Sequence, residues 1–183
     1  MRQLLSAVTI AALVAFLPAT RAPSQDAPAG VDVTPEGIFV HGWRRQAAPT
    51  GTVFFYCASS ACRPDDVVSY RLQPDGPPVP LDEFRARQES ANRNMVAQSQ
   101  GRIARIDLAP PREERDAGGV IYTAVTTVVR ADGSTSGQIA ILVARGTRQL
   151  TLVSSSDTPD RALRNVERFR SAAVLFLTLR AMR

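Results

Sequence analysis

The chain contains no lysine; all 22 of its basic side chains are arginine. It has two cysteines, one histidine and one tryptophan in 183 residues. Each scarcity closes off a class of chemistry. A zinc site draws three or four ligands from His, Cys and carboxylates, so a lone His41 is a poor start for one. A Ser-His-Asp arrangement would need His41, yet no Gly-x-Ser-x-Gly elbow accompanies it. Beside Gly42-Trp43, His41 reads as a structural or exposed strand residue. There is no glycine-rich phosphate loop. Asp65-Asp66 is one acidic pair, short of the ligand count of a calcium loop, and turn chemistry accounts for it. Glu83 and Glu89 stand six apart on a helical stretch and form no acid/base pair. Glu113, Glu114 and Asp116 alternate with Arg112 and Arg115, as in a solvated loop. No catalytic residue, cofactor or metal is therefore expected. Past the N-terminal stretch, long apolar runs are also missing. The best, Ala172 to Leu179, is under half the length that crosses a bilayer.

The N-terminus itself reads as a secretory signal peptide over residues 1–22. Arg2 supplies the positive start, Leu4 to Leu17 the apolar core, and Pro18 to Ala22 the small-residue cleavage region. A core of about 14 residues is short for a spanning anchor, which is the competing reading. No cysteine lies near the cut to carry a lipid. A periplasmic or secreted location follows, with no stable membrane span after cleavage. Cys57 and Cys62 fit that compartment as a structural disulfide closing a hairpin. A redox pair is the alternative, although redox motifs space their cysteines two apart at a helix N-terminus, whereas four residues separate these. Arginine-only basicity matches G+C-rich codon usage. Cleavage removes Arg2 and Arg21, leaving three positive charges in excess of the 17 acids. So small an excess on an exported chain gives no reason to expect nucleic acid.

Residues 23–36 are rich in Pro, Ala and Ser, and read as a flexible lead-in. Residues 37–183 read as a single α+β domain. Ile38 to Trp43 predicts a first strand, Arg44 to Gly51 a loop, Val53 to Cys57 a second strand and Val68 to Leu72 a third. Leu81 to Gln98 predicts a helix with Leu81, Phe84, Gln88, Ala91 and Met95 on one stripe, and Asp82 and Glu83 in its first turn. Ala104 to Leu108 alternates as a strand, and Ala109 to Gly119 reads as a solvated loop. Val120 to Arg130, Gln138 to Ala144 and Leu150 to Ser154 form a meander through turns at Asp132-Gly133 and Arg145-Gly146-Thr147. Thr158-Pro159-Asp160 opens the last helix, with Leu163, Val166, Phe169, Ala173 and Phe176 as its apolar stripe. The predicted order is β-β-β-α-β-β-β-β-α, an antiparallel sheet with helices packed on it.

Between Ile38 and Leu179, this order resembles the PsbP-like α/β/α sandwich family. The Leu81-Asp82-Glu83-Phe84 helix start and the passage of the meander into Thr158 to Phe169 carry the likeness. The resemblance implies a helix-covered sheet and an accessory or assembly role without catalysis. It transfers no site residue, and Cys57–Cys62 lies outside its pattern.

Two surfaces emerge as candidates. Arg161, Arg164 and Arg168 share one side of the last helix and Arg170 lies beside them, diluted only by Asp160 and Glu167. They are a candidate partner face, or else an ordinary charged helix exterior. Trp43, Phe54 and Tyr56, with Phe55, form a candidate groove beside the disulfide, or else part of the sheet core. The expected function is an exported, non-catalytic accessory or binding protein for an unknown protein or envelope component. The alternatives are a thiol–disulfide redox protein using Cys57 and Cys62, and a small-ligand or lipid carrier with a cavity under the first helix.

Overall fold

The computed structural model describes residues 30–34, 37–116 and 118–181. The expected signal peptide lies outside them. The described chain is α+β: two helices pack on an antiparallel sheet. Strands β1 (Val31–Thr34) and β2 (Gly37–Val40) pair as a small separate hairpin. β3 (Trp43–Ala47), β4 (Thr52–Cys57) and β5 (Val67–Leu72) follow as an antiparallel run, then helix α1 (Leu81–Gln98). β6 (Ile103–Leu108), β7 (Arg112–Asp116), β8 (Gly119–Arg130), β9 (Thr135–Arg145) and β10 (Arg148–Ser156) complete the sheet, and α2 (Pro159–Ala181) closes the chain.

The eight-stranded sheet has the order β3-β4-β5-β10-β9-β8-β6, with β7 also on β8. The chain crosses from β5 to the far edge through α1. The meander β8-β9-β10 then fills inward until β10 pairs β5, Leu150 opposite Leu72 through Ser155 opposite Val67. The Asp132-Gly133 turn forms as expected. Gly133 has φ +83°, and Asp132 accepts hydrogen bonds from the Ser134 N–H (2.9 Å) and hydroxyl (2.7 Å).

Three expectations are corrected. Val31–Thr34, part of the segment read as a flexible lead-in, is a strand held on β2. The single strand read over Ile38 to Trp43 breaks at Gly42, whose φ of +82° favours glycine, so β2 and β3 enter different sheets. Arg44 to Gly51 and Ala109 to Gly119 read as loops because they are polar, yet β3 and β7 run through them. Both are edge strands with a neighbour on one side only, where charged side chains stay in water. All five residues of β7 are exposed, and Arg112 to Asp116 pair with Thr123 to Gly119. The prolines 110 and 111 separate β6 from β7 along the same edge of β8, since they cannot donate to a ladder.

Strand alternation divides the core between the two faces. On one face Ile139, Ile141, Val143, Leu150, Leu152, Val68 and Phe55 are fully buried, together with Tyr70 and Val53, beneath α2 and the β1–β2 hairpin. α2 supplies Ala162, Val166, Phe169, Ala173, Phe176 and Leu177. Val166, Phe169, Ala173 and Phe176 are buried as expected; only Leu163 of that stripe is exposed, at 37%, and Ala162 takes its inward place. α2 starts hard against the sheet: a Cβ on Gly137 would lie 2.1 Å from the Pro159 nitrogen. On the other face α1 sets Phe84 against Tyr122 (5.6 Å between rings), over Val120, Ala124, Ala140, Leu142 and Ala144. Asn92, rather than the predicted Ala91, takes the buried place two turns beyond Phe84 on α1. No helix among the described residues is long and apolar enough to cross a membrane.

Candidate functional site

The site is built from the first three turns of α2 and the disulfide hairpin between β4 and β5. Thr158 caps the helix, its hydroxyl accepting the Arg161 N–H at 3.3 Å. From that start, positions 161, 164, 165 and 168 fall along one stripe at i, i+3, i+4 and i+7. Facing them, Cys57 at the end of β4 is bonded to Cys62, which turns the chain back towards β5. Ser60 to Arg63 from the hairpin and Arg161, Arg164, Asn165 and Arg168 from the helix line one cleft of about 310 Å³, with Asp66.

Two carboxylates hold the hairpin in place, one to the helix and one to β10. Asp157 accepts from Arg63 Nη1 at 2.8 Å and from Arg161 Nη1. Desolvation pushes this carboxyl up, but the Arg161 hydrogen bond and charge, the Ser156 hydroxyl and Arg63 outweigh it and leave the group below its ordinary range. Asp66 is 1% exposed and accepts the Arg63 N–H at 2.9 Å and the Ser156 hydroxyl at 2.5 Å. It thus ties the hairpin turn to the end of β10. Four arginines against these two carboxylates leave two positive charges unbalanced around the cleft. Those belong to Arg164, which is exposed, and Arg168; neither has an ion pair among the described residues. Arg168 Nη1 and Asn165 Nδ2 are sealed from water without a hydrogen-bond acceptor, and Asn165 is 4% exposed.

Of the four helix arginines expected to share a surface, the structure brings together Arg161, Arg164 and Arg168. Arg170 turns away to Glu114 of β7 and to Glu167. The Glu114 hydrogen bond is the main reason its guanidinium is raised above the ordinary value. Arg63, Asp157 and Asn165 were not singled out from the sequence, and Asp66 was read there only as turn chemistry. The adjacency of Arg63 to Cys62, and the i+4 spacing of Asn165 from Arg161, are the signals that point to two of them.

The aromatic groove divides across the sheet. Trp43 is buried under α2, edge-on to Phe169 at 5.4 Å, and Phe55 packs on the same ring at 4.8 Å. Phe54 and Tyr56 alternate to the opposite face, where their rings stack at 6.3 Å with the Arg44 guanidinium 5.7 Å from Tyr56. Trp43 therefore lines no groove with them. His41 is exposed and lies 3.1 Å from Asp32. Glu83 and Glu89 each pair with an arginine on their own helix, Arg87 and Arg85. An open groove of about 440 Å³ runs between α1 and β6, lined by Glu89, Asn92, Arg93, Val96, Ile106 and Leu108. Among the described residues, no three His, Cys, Asp or Glu side chains are grouped to hold a metal ion.

No protein-family model matches the sequence, and no curated protein matches it. Among solved structures, the chain is similar to cyanobacterial PsbP from Synechocystis, with 18% identity, a TM-score of 0.51, and coverage of 79% of this chain and 82% of that one. A STAR-related lipid transfer protein fragment from Xanthomonas axonopodis matches at 12% identity and a TM-score of 0.41, covering 64% of this chain and 82% of that one. The antiparallel sheet between two helices is a PsbP-like fold.

Proposed function

We propose that the chain is an exported, non-catalytic binding or accessory protein whose working surface is the arginine cleft beside Cys57–Cys62. The convergence of Arg161, Arg164, Arg168 and Arg63 on that cleft carries the reading. A surface helix needs no such convergence for solubility, because its charges are equally hydrated when dispersed. The N-terminal Arg2, apolar core and small-residue segment support export, as does a disulfide in a chain bound for an oxidising compartment. The PsbP-like fold supports an accessory role.

The test is a pull-down of the tagged, disulfide-bonded protein from its native envelope fraction, beside an Arg161→Glu/Arg164→Glu/Arg168→Glu triple variant. A specific partner captured by the wild type and lost in the variant is expected. Equal capture by both would remove the cleft from the reading. Turnover in a broad hydrolase screen, abolished by His41→Ala, would remove the non-catalytic assignment.

A further inference from the structure

We propose that this cleft is an oxyanion site that takes a phosphate dianion, a reading that rests on the binding role of the same surface. Three observations converge on it. The first is charge. Arg63 and Arg161 share Asp157, and Asp66 is consumed by the Arg63 N–H and Ser156, so the local excess is the pair of charges on Arg164 and Arg168. A phosphate group carries close to two negative charges near neutral pH and cancels that excess, whereas a carboxylate cancels half. The second is chemistry. Guanidinium groups present paired N–H donors that match phosphate oxygens, and the cleft holds four of them.

The third observation is the orphaned donors. Most buried polar atoms in folded proteins have a partner, and one left without carries a desolvation cost. Two such donors, Asn165 Nδ2 and Arg168 Nη1, stand one turn apart on the helix wall of this cleft. Both are nitrogen donors, and Arg168 carries one of the two unpaired charges. A phosphate seated between Arg164 and Arg168 supplies the missing acceptors once these side-chain ends rotate towards it. The hairpin completes the enclosure, since the disulfide fixes Ser60 to Arg63 against the helix. Opening the disulfide would therefore loosen one wall of the site without touching a single arginine.

The probe is inorganic phosphate, titrated into the purified disulfide-bonded protein at low ionic strength and followed by calorimetry and backbone amide shifts. Saturable one-to-one binding is expected, with shifts centred on residues 60–66 and 161–168. Arg164→Gln changes an exposed side chain and leaves the fold intact, and it should weaken binding about tenfold, the scale of one charge-assisted contact. Asn165→Leu should weaken binding while leaving net charge unchanged, which a purely electrostatic attraction would not do. Arg44→Gln, on the opposite face, should have no effect. Acetate binding as tightly as phosphate, a non-saturating response, or equal losses in Arg44→Gln and Arg164→Gln would each overturn the assignment. A second arm uses phosphatidylcholine vesicles with and without phosphatidic acid. Binding to the acidic vesicles, competed by free phosphate, marks a lipid headgroup as the source; binding of free phosphate alone marks a soluble one. Phosphate binding with no protein captured from the envelope would leave this site standing and remove a protein partner from the broader reading. A captured partner insensitive to phosphate, with no phosphate bound, would do the reverse.

Discussion

The two faces of the eight-stranded sheet begin from the same strand alternation and end differently. Beneath α2, long strands, the β1–β2 hairpin and a 23-residue helix enclose a continuous aromatic and aliphatic core. Beneath α1, an 18-residue helix with only Phe84 and Asn92 buried lies over β8 and β6. On that side Phe54, Tyr56, Val67 and Val153 remain partly exposed. The difference lies in the helices. α2 offers an apolar residue at nearly every inward position, including Ala162, Val166, Phe169, Ala173, Phe176 and Leu177. α1 places Gln88 and Asn92 where such residues would stand. One face is therefore built for stability and the other is only partly closed. The candidate site lies at the margin of the stable face, where Arg161, Arg164 and Arg168 flank a core that holds their helix in place.

The largest predicted effect tests this asymmetry directly. Phe169 is fully buried against both Trp43 and Phe55, so Phe169→Ala should cost about 4 kcal/mol. Phe84 has Tyr122 as its one aromatic neighbour, and Phe84→Ala should cost about 3 kcal/mol or less. Urea unfolding of both variants provides the comparison, and equal losses would break it. Asp66 comes next. Removing its buried carboxylate in Asp66→Ala strands the Arg63 N–H and leaves the Ser156 hydroxyl only its longer bond to Asp157, for a loss of about 2 kcal/mol. Its exposed neighbour gives the control: Asp65→Ala should stay within about 0.5 kcal/mol.

Asp66 also shows where a sequence becomes illegible. The Asp65-Asp66 pair reads as a turn, which it is, but nothing local says that one carboxylate is buried on Ser156, ninety residues away. The central strands were legible because period-two alternation and the Asp132-Gly133 turn are local signals. Edge strands β3 and β7 were not, since one-sided pairing lets Arg44, Arg45 and Arg112 to Asp116 remain polar. The arginines of α2 were legible as a charged face. Helical spacing separates Arg161, Arg164 and Arg168 from Arg170, nine residues on from Arg161 and so on the other side; what each meets, the disulfide hairpin or Glu114, is set by contacts distant in sequence. Trp43 and Tyr56 were grouped because they flank the same hairpin, while their placement on opposite faces depends on the register of Trp43 opposite Cys57.

The disulfide should contribute less than either core change. It closes a loop with a sequence separation of 5, for which chain entropy gives about 2 kcal/mol. Cys57→Ser/Cys62→Ser should lower stability by that amount while leaving Phe84→Ala as costly as before, because Phe84 sits with the opposite-face cluster. A reduction potential below about −300 mV is expected for a structural bond, and a more oxidising value would favour the thiol–disulfide reading instead.

The smallest effect separates an ion pair that joins two elements from a hydrogen-bonded carboxylate that serves a single turn. Asp157 and Asp132 both have carboxyls held below the ordinary 3.8. A depressed folded pKa stabilises the protein above the unfolded value, and that contribution is lost as pH falls through the folded pKa. Both groups should therefore add to acid sensitivity below about pH 4, and neither should alter stability between pH 5 and 8. Their causes differ. Asp132 is lowered first by the Ser134 hydroxyl and N–H within its own turn. At Asp157 desolvation works the other way, and the Arg161 and Arg63 guanidinium groups are among the partners that overcome it. Salt screens exposed charge pairs far more than short neutral-donor hydrogen bonds. Acid-unfolding midpoints of Asp157→Asn and Asp132→Asn, each measured at low and high salt, should show the wild-type advantage at Asp157 shrinking with salt and that at Asp132 holding. If both hold alike, the Asp157 link between hairpin and helix is no more than a local hydrogen-bonded contact, and the disulfide and Asp66 would have to hold the wall of the cleft in place.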